Sequence, residues 1–135
     1  MPFVIDASIV VAWGLEGDDP VARMALRRIE ADQGVAPSLW WFEVRNGLIV
    51  NERRGRIGEV RTMEFLDELA AMAVSLDSSP QEGQTLALAR KHRLTFYDAA
   101  YLELALRHDL PLATLDLPLA RAARAEGVPL VGDDL

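Results

Sequence analysis

The sequence of 135 residues contains no cysteine, only two histidines and no long hydrophobic run. The absence of cysteine excludes disulfides and thiolate metal sites. The apolar stretches are short: SIVVAWGL (8–15) is followed at once by Glu16, and none approaches the ~18 residues of a membrane span. The N-terminal MPFVID lacks the basic start and the cleavage site of a signal peptide. We therefore expect a cytoplasmic protein without a membrane segment.

Basic residues are in the minority, and the formal net charge is −7 at pH 7. Taken alone, this charge argues against a nucleic-acid partner, because phosphate binding depends on Lys and Arg. The argument fails if several acids converge on divalent cations, since each cation returns two positive charges to the site. The positions of the acids therefore matter more than the total charge.

Hydrophobic residues make up 50% of the chain and charged residues 26%, which is typical of one globular domain, here over residues 1–135. Short apolar runs alternate with longer helical patterns. Strands are predicted at 3–6, 34–37, 73–77, 110–116 and 128–131. Helices are predicted at 8–15, 19–32, 38–54, 58–72, 80–93 and 118–126, with a further helical stretch at 94–106. Continuous apolar strands favour a mostly parallel sheet covered on both faces, which predicts a three-layer α/β/α sandwich with five strands.

The helix predicted over 58–72 has an amphipathic pattern that is typical of one buried face. Its apolar stripe consists of Val60, Met63, Leu66, Leu69 and Ala70.

Four carboxylates are distinguished by their apolar neighbours. Asp6 in FVIDAS and Asp116 in LPLATLD end predicted strands, where sheets of this kind bind ligands. Glu43 lies on the apolar side of its predicted helix, together with Gly47, which leaves room for something to approach. Asp98 interrupts the apolar stretch LTFYDAAYLELAL. Four acids at one edge of a sheet should raise one another's pKa unless a cation neutralises them, and oxygen ligands favour Mg²⁺ or Mn²⁺.

Each acid by itself also has a simpler interpretation. Asp6, Asp98 and Asp116 are typical of helix N-caps, and Glu43 is equally consistent with a salt-bridged or partly exposed helix residue. Only the coincidence of the four favours a metal site.

These segments resemble those of the PIN-domain ribonucleases, and among them the VapC-type toxins of toxin–antitoxin pairs. The likeness is carried by VIDASIVVAW, WFEVRNGL, LTFYDAAYLELAL and LATLD in that order, and it covers essentially the whole chain. It implies the strand order 3-2-1-4-5. It also implies a catalytic and metal-binding quartet with three supporting polar residues, namely Asp6, Glu43, Asp98 and Asp116 with Ser8, Thr114 and Asn46.

The same resemblance implies endonucleolytic cleavage of RNA with Mg²⁺ or Mn²⁺, a homodimer, and a complex with a small VapB-like antitoxin. Asp6, Asp98 and Asp116 would hold the metal, and Glu43 would ligate it directly or through a water. This chemistry needs no histidine base. His92 and His108 fall near predicted helix ends, where we expect structural or surface roles.

Substrate binding requires local positive charge. The densest basic stretches are NERRGR (51–56) and ARKHR (89–93). We predict RNA contacts from Arg53, Arg54, Arg56, Lys91 and Arg93, although solvent-facing helix ends explain each stretch equally well.

Three aromatic residues, Trp40, Trp41 and Phe42, are consecutive, so one helix cannot bury them all. We expect at least one of them to face outward and predict that Trp41 contacts a second copy or the antitoxin, although a Trp lying across a neighbouring helix is an equally good interpretation.

Three other classes of protein suit this architecture less well. A phosphate-accepting receiver domain needs an acidic pair after the first strand and a late Lys, whereas Asp6 is followed by Ala7 and the only Lys is Lys91. A haloacid-dehalogenase-type phosphatase needs Asp where Ser8 stands. A non-catalytic binding or scaffold protein on the PIN fold is the remaining alternative, and it would gain no stability from Mg²⁺ or Mn²⁺.

Overall fold

The structure is a computed structural model that describes residues 1–134, and within that range four short strands form a parallel sheet. The strands are β1 (Phe3–Ile5), β2 (Gly34–Pro37), β3 (Val74–Asp77) and β4 (Leu112–Ala113). Their spatial order is β3-β2-β1-β4, with Val4 of β1 paired to Val35 on one side and Leu112 on the other. The expected order of the first four strands is confirmed.

Within residues 1–134, seven helices flank this sheet. They are α1 (Ala7–Gly14), α2 (Pro20–Ala31), α3 (Leu39–Arg53), α4 (Glu59–Ala70), α5 (Glu82–His92), α6 (Phe96–His108) and α7 (Leu117–Ala125). None of them is long and apolar enough to cross a bilayer.

The fifth strand expected over 128–131 is reduced to an isolated parallel bridge between Leu130 and Leu112. The Leu112 amide donates to Pro129 O, and the Val131 amide donates to Leu112 O, both over 2.9 Å. The chain enters a turn at Val131, and Gly132 has a φ of 100°, so the pairing stops after one residue. The bridge lies on the free edge of β4, which is the place that the order 3-2-1-4-5 assigns to a fifth strand.

The core surrounds β1 and α6. All three residues of β1 are fully buried, as the continuous apolar pattern predicts. In α6 every residue from Ala99 to Ala105 is buried, because this helix packs against α5, α7 and three strands. Asp98 therefore stands at the point where a buried helix reaches the surface.

The apolar stripe predicted on α4 is wrong at three positions. Val60 is 74% exposed, Met63 is 61% exposed and Ala70 is also exposed, whereas Thr62, Phe65 and Leu69 are buried. The contact with α1 decides this orientation: the ring of Phe65 lies only 3.0 Å from where a Cβ on Gly14 would stand. Thr62 tolerates burial because its hydroxyl donates to a backbone carbonyl of the preceding turn.

A buried ion pair joins α6 to the end of β3. Glu103 is only 1% exposed, and its Oε2 lies 2.7 Å from Nε of Arg107. The same guanidinium donates to Asp77 Oδ2 over 2.6 Å, and this hydrogen bond holds the pKa of Asp77 below its usual value. Arg107 thus neutralises two carboxylates on different elements.

We predict that Arg107→Met destabilises the protein by about 3 kcal/mol, because Glu103 would remain buried without its partner. Urea denaturation followed by circular dichroism measures the loss. The matched control is Arg124→Met, which breaks the exposed pair between Arg124 and Asp133 and should cost less than about 1 kcal/mol. Equal losses in the two variants would contradict the assignment.

Candidate active site

The four predicted carboxylates meet at one cavity of about 480 Å³. Asp6 follows β1, Glu43 comes from α3, Asp98 lies in the first turn of α6, and Asp116 precedes α7. The cavity is bordered by Asp6, Ala7, Ser8, Val11, Glu43, Asn46, Gly47, Asp98 and Asp116. The tertiary structure therefore brings together acids that are far apart in the sequence, as expected.

Two hydroxyl groups fix the buried carboxylate of Asp6. Its Oδ2 accepts hydrogen bonds from Ser8 Oγ at 2.8 Å and from Thr114 Oγ1 at 2.6 Å. Each hydroxyl oxygen in turn accepts a backbone amide at 3.0 Å, from Leu115 and Asp116 respectively. This network ties the end of β1 to the segment that follows β4, and it places Ser8 and Thr114 beside the acids as predicted.

The simpler interpretation of the aspartates as N-caps is wrong for the side chains. Asp6 and Asp116 occupy the cap positions of α1 and α7, yet neither side chain makes a capping hydrogen bond. At α6 the cap is Thr95, whose Oγ1 accepts the Asp98 amide at 3.1 Å. None of these three carboxylates therefore caps a helix.

Tyr101 orients Glu43 through a hydrogen bond that the sequence analysis does not predict. Its hydroxyl donates to Glu43 Oε1 over 2.6 Å. A tyrosine one turn after Asp98, inside an otherwise apolar stretch, is the signal that could have revealed it, since a buried phenol needs a polar partner.

The gap at Gly47 admits α1, because a Cβ there would lie 2.6 Å from Val11 Cγ2.

Burial and mutual repulsion both disfavour negative charge at this site. Burial raises the pKa of Asp98 to about 7, and Asp116 contributes through its charge and a shared hydrogen bond, followed by the charge of Asp6. Burial also raises the pKa of Asp6 and of Glu43, with smaller contributions from the neighbouring carboxylates. For these three acids burial is the larger cause of the upward shift in pKa, and repulsion between the carboxylates is the smaller one.

The oxygen atoms that border the cavity are of the chemical type that binds a hard divalent cation. Within residues 1–134, no Lys, Arg or His borders the cavity, so its acids have no protein cation beside them. Carboxylate, hydroxyl and amide oxygens are ligands that Mg²⁺ and Mn²⁺ prefer. In the same range, however, no group of three or more His, Asp or Glu already has the spacing that holds a metal ion. The acids border the cavity without forming a preassembled ligand set.

The predicted basic residues do not border this cavity in the part of the chain that the structure describes. Arg53 ends α3 roughly 15 Å along the helix from Glu43, given the helical rise per residue. Lys91 forms an ion pair with Glu126 at 2.7 Å, and His92 contacts the same carboxylate. His108 is exposed beside Arg107.

Of the consecutive aromatic residues, Trp40 is buried, whereas Trp41 and Phe42 are exposed. The prediction that at least one faces outward is confirmed. The guanidinium of Arg45 stacks on Trp41 at 3.8 Å from the ring centroid.

Comparison with known proteins identifies the family of this chain. The family model of the PIN domain matches residues 3–125. Ribonuclease VapC3 of Pyrobaculum aerophilum is 35% identical over 124 residues, which span 89% of this chain and 93% of that protein. The chain belongs to the PIN-domain family. This relative, which matches over nearly the full length, is named as a VapC ribonuclease, in keeping with the resemblance found in the sequence.

Two solved structures share the fold. The crystal structure of PAE2754 from Pyrobaculum aerophilum has a TM-score of 0.70 at 23% identity, covering 90% of this chain and 84% of the other. A toxin–antitoxin complex from Klebsiella pneumoniae contains a chain with a TM-score of 0.52 at 22% identity, and here the coverage is 87% and 93%. At these identities the comparison concerns the fold alone.

We predict that Asp98→Asn stabilises the metal-free protein at about pH 8 but not at about pH 4. Folding raises the pKa of Asp98 from 3.8 to about 7, so the folded state retains a proton that the unfolded chain releases. The stability of wild type should therefore fall as pH rises from about 4 to about 7. The side-chain amide of Asp98→Asn does not titrate, so this loss should be absent in the variant. Thermal melting in the presence of a chelator measures it.

The control is Asp67→Asn, which makes the same charge change at an exposed position on α4. It should leave Tm unchanged at both pH values. Identical melting of Asp98→Asn and wild type at the higher pH would show that Asp98 carries no such penalty.

Proposed function

We propose that this protein is a metal-dependent endoribonuclease that hydrolyses RNA phosphodiester bonds and acts as the toxin of a toxin–antitoxin pair. The observation that carries the proposal is the convergence of Asp6, Glu43, Asp98 and Asp116 on one cavity at the edge of the sheet. Membership of the PIN-domain family and the relative named as a ribonuclease support it.

The four acids divide into two roles in the proposed reaction. Asp6, Asp98 and Asp116 would hold Mg²⁺ or Mn²⁺, with Glu43 as a direct or water-mediated ligand. A divalent cation supplies a Lewis acid for the phosphodiester and a means of activating water. The raised pKa of Glu43 makes this carboxylate a stronger proton acceptor than an ordinary glutamate, and Tyr101 holds it in position.

The hydroxyl groups of Ser8 and Thr114 and the protonation state of Asp98 both affect how the site would bind the cation. Ser8 and Thr114 fix one oxygen of Asp6 through two hydrogen bonds, which restricts the orientation of this carboxylate. Asp98 must release its proton before it can act as a ligand, because only the carboxylate binds a hard cation. Asn46, which borders the cavity, would contact the substrate.

The partners that we propose follow from the VapC relationship. They are a small VapB-like antitoxin and a second copy of the chain, with the cytoplasm as the location. The exposed face of Trp41, stacked by Arg45, is the proposed contact for one of these partners.

Asp6→Asn and Asp98→Ala should each lower RNA cleavage by about 100-fold, the order of effect expected for the loss of one electrostatic stabiliser in a catalytic site. The assay incubates partner-free protein with end-labelled structured and unstructured RNA plus Mn²⁺. Asp67→Asn is the matched control and should cleave as wild type does.

The same samples separate a nuclease from a non-catalytic scaffold. Mn²⁺ should raise the Tm of wild type more than that of either variant, because ligand binding to the folded state stabilises it. Cleavage by Asp6→Asn at the wild-type rate, or no Mn²⁺-dependent gain in Tm, would favour the scaffold.

We propose that Arg53, Arg54, Arg56, Lys91 and Arg93 contact the RNA backbone outside the cavity. The double variant Arg53→Glu with Arg54→Glu should raise KM by about tenfold and reduce the slope of log KM against log salt by about 1.4, since two phosphate contacts are lost. Steady-state cleavage at several salt concentrations measures both quantities.

Arg23→Glu with Arg27→Glu is the matched control, because both arginines are exposed on α2 and the change in net charge is the same. An equal rise in KM for the two double variants would assign the effect to overall charge. No rise in either variant would remove these arginines from the substrate site.

A further inference from the structure

A second cavity, of about 350 Å³, adjoins the acidic cavity. Its lining consists of Leu39, Phe42, Glu43, Asn46 and Tyr97. Glu43 and Asn46 border both cavities, so the two are immediate neighbours. A chain-like molecule bound among the carboxylates would therefore pass close to the second cavity.

Two aromatic rings border this second cavity from different helices. Phe42 of α3 is 69% exposed and Tyr97 of α6 is 61% exposed, which leaves both rings largely uncovered. Each directly precedes one of the acids, Glu43 or Asp98. Successive residues on a helix point about 100° apart, so an acid and the ring before it can flank one opening. The rings of Phe42 and Trp41 pack edge to face, with their centroids 5.0 Å apart.

The chemistry of this lining suits a nucleobase better than a phosphate. Within residues 1–134, no Lys or Arg borders the second cavity, so nothing there attracts an anion. Aromatic side chains stack on unpaired bases with about 1–3 kcal/mol per base. Asn46 adds an amide that can both donate to and accept from the edge of a base.

We propose that Phe42 and Tyr97 form an aromatic subsite that stacks an unpaired nucleobase next to the scissile phosphodiester, with Asn46 at its polar edge. This inference rests on the proposed nuclease function. It predicts a preference for single-stranded RNA, because a base inside a duplex is not free to turn into the cavity.

A protein partner is the competing occupant of these rings. Such a partner would cover Glu43 and Asn46 together with the aromatic surface, and burying a carboxylate without a cation is costly. The position of the rings beside the acidic cavity, with which they share Glu43 and Asn46, favours RNA.

The experiment compares Phe42→Leu and Tyr97→Leu with wild type on a single-stranded RNA whose cleavage position has been mapped. Each variant should raise KM by about tenfold while kcat stays within about threefold, since stacking contributes to binding rather than to bond breaking. Phe42→Tyr, which keeps an aromatic face, should recover most of the affinity that Phe42→Leu loses. Val60→Ala, at an exposed apolar position on α4, is the unrelated control.

Substrates with one abasic nucleotide test the base directly. At one position flanking the scissile bond, the missing base should raise the KM of wild type by about tenfold but add little to the KM of the leucine variants, because ring and base form one contact. Additive losses, or leucine variants with unchanged KM, would overturn the subsite. Light scattering at the assay concentration completes the test: losses that appear only where the oligomer dissociates would assign the rings to a second copy instead.

Binding of a fluorescein-labelled RNA hexamer to the Asp98→Asn protein with Mn²⁺ separates this inference from the nuclease proposal. If wild type cleaves no RNA and yet the addition of Phe42→Leu to the Asp98→Asn protein weakens hexamer binding about tenfold, the subsite stands and the nuclease proposal fails. If cleavage occurs and hexamer binding does not depend on the rings, the nuclease proposal stands and the subsite fails. Absence of both cleavage and binding overturns both.

Discussion

The hydrogen bonds that hold Asp6 are the interaction on which this edge of the sheet depends. Asp6 is buried where β1 ends, and burial of a carboxylate is costly without donors. Ser8 and Thr114 supply two donors, and their oxygens accept amides from the segment that follows β4. One carboxylate thereby joins the start of α1 to the approach of α7, and Asp116 is brought to the same cavity as a consequence.

The helix α6 shows how differently the protein treats two of its acids. Glu103 is buried beside Arg107, which neutralises it and connects the helix to β3. Asp98 stands at the other end of the helix among carboxylates, and burial with their charges raises its pKa to about 7. The first arrangement compensates the burial of its acid, whereas the second leaves the acid uncompensated and opposes folding. An acid kept under such conditions at a cavity is typical of a functional site rather than of a structural one.

Much of the fold follows from local patterns, and the errors occur where long-range contacts decide. The apolar run of β1 and the helical period of α6 predict both elements and their burial. The α4 stripe fails because the approach of Phe65 to Gly14 fixes the rotation of the helix. The segment 128–131 has the composition of a strand, but the turn at Val131 leaves it with one bridge. The strand order came from the family resemblance and not from the periodicity.

The sequence by itself determined that Asp6, Glu43, Asp98 and Asp116 stand out as carboxylates among apolar neighbours, a local feature that Glu103 shares. Only the tertiary structure decided what surrounds them. The hydrogen bond from Tyr101 to Glu43 joins residues 58 positions apart, and that from Thr114 to Asp6 spans 108. The cavity shared by Phe42 and Tyr97 likewise requires two helices to meet. Contacts of this range depend on packing, which no local pattern encodes.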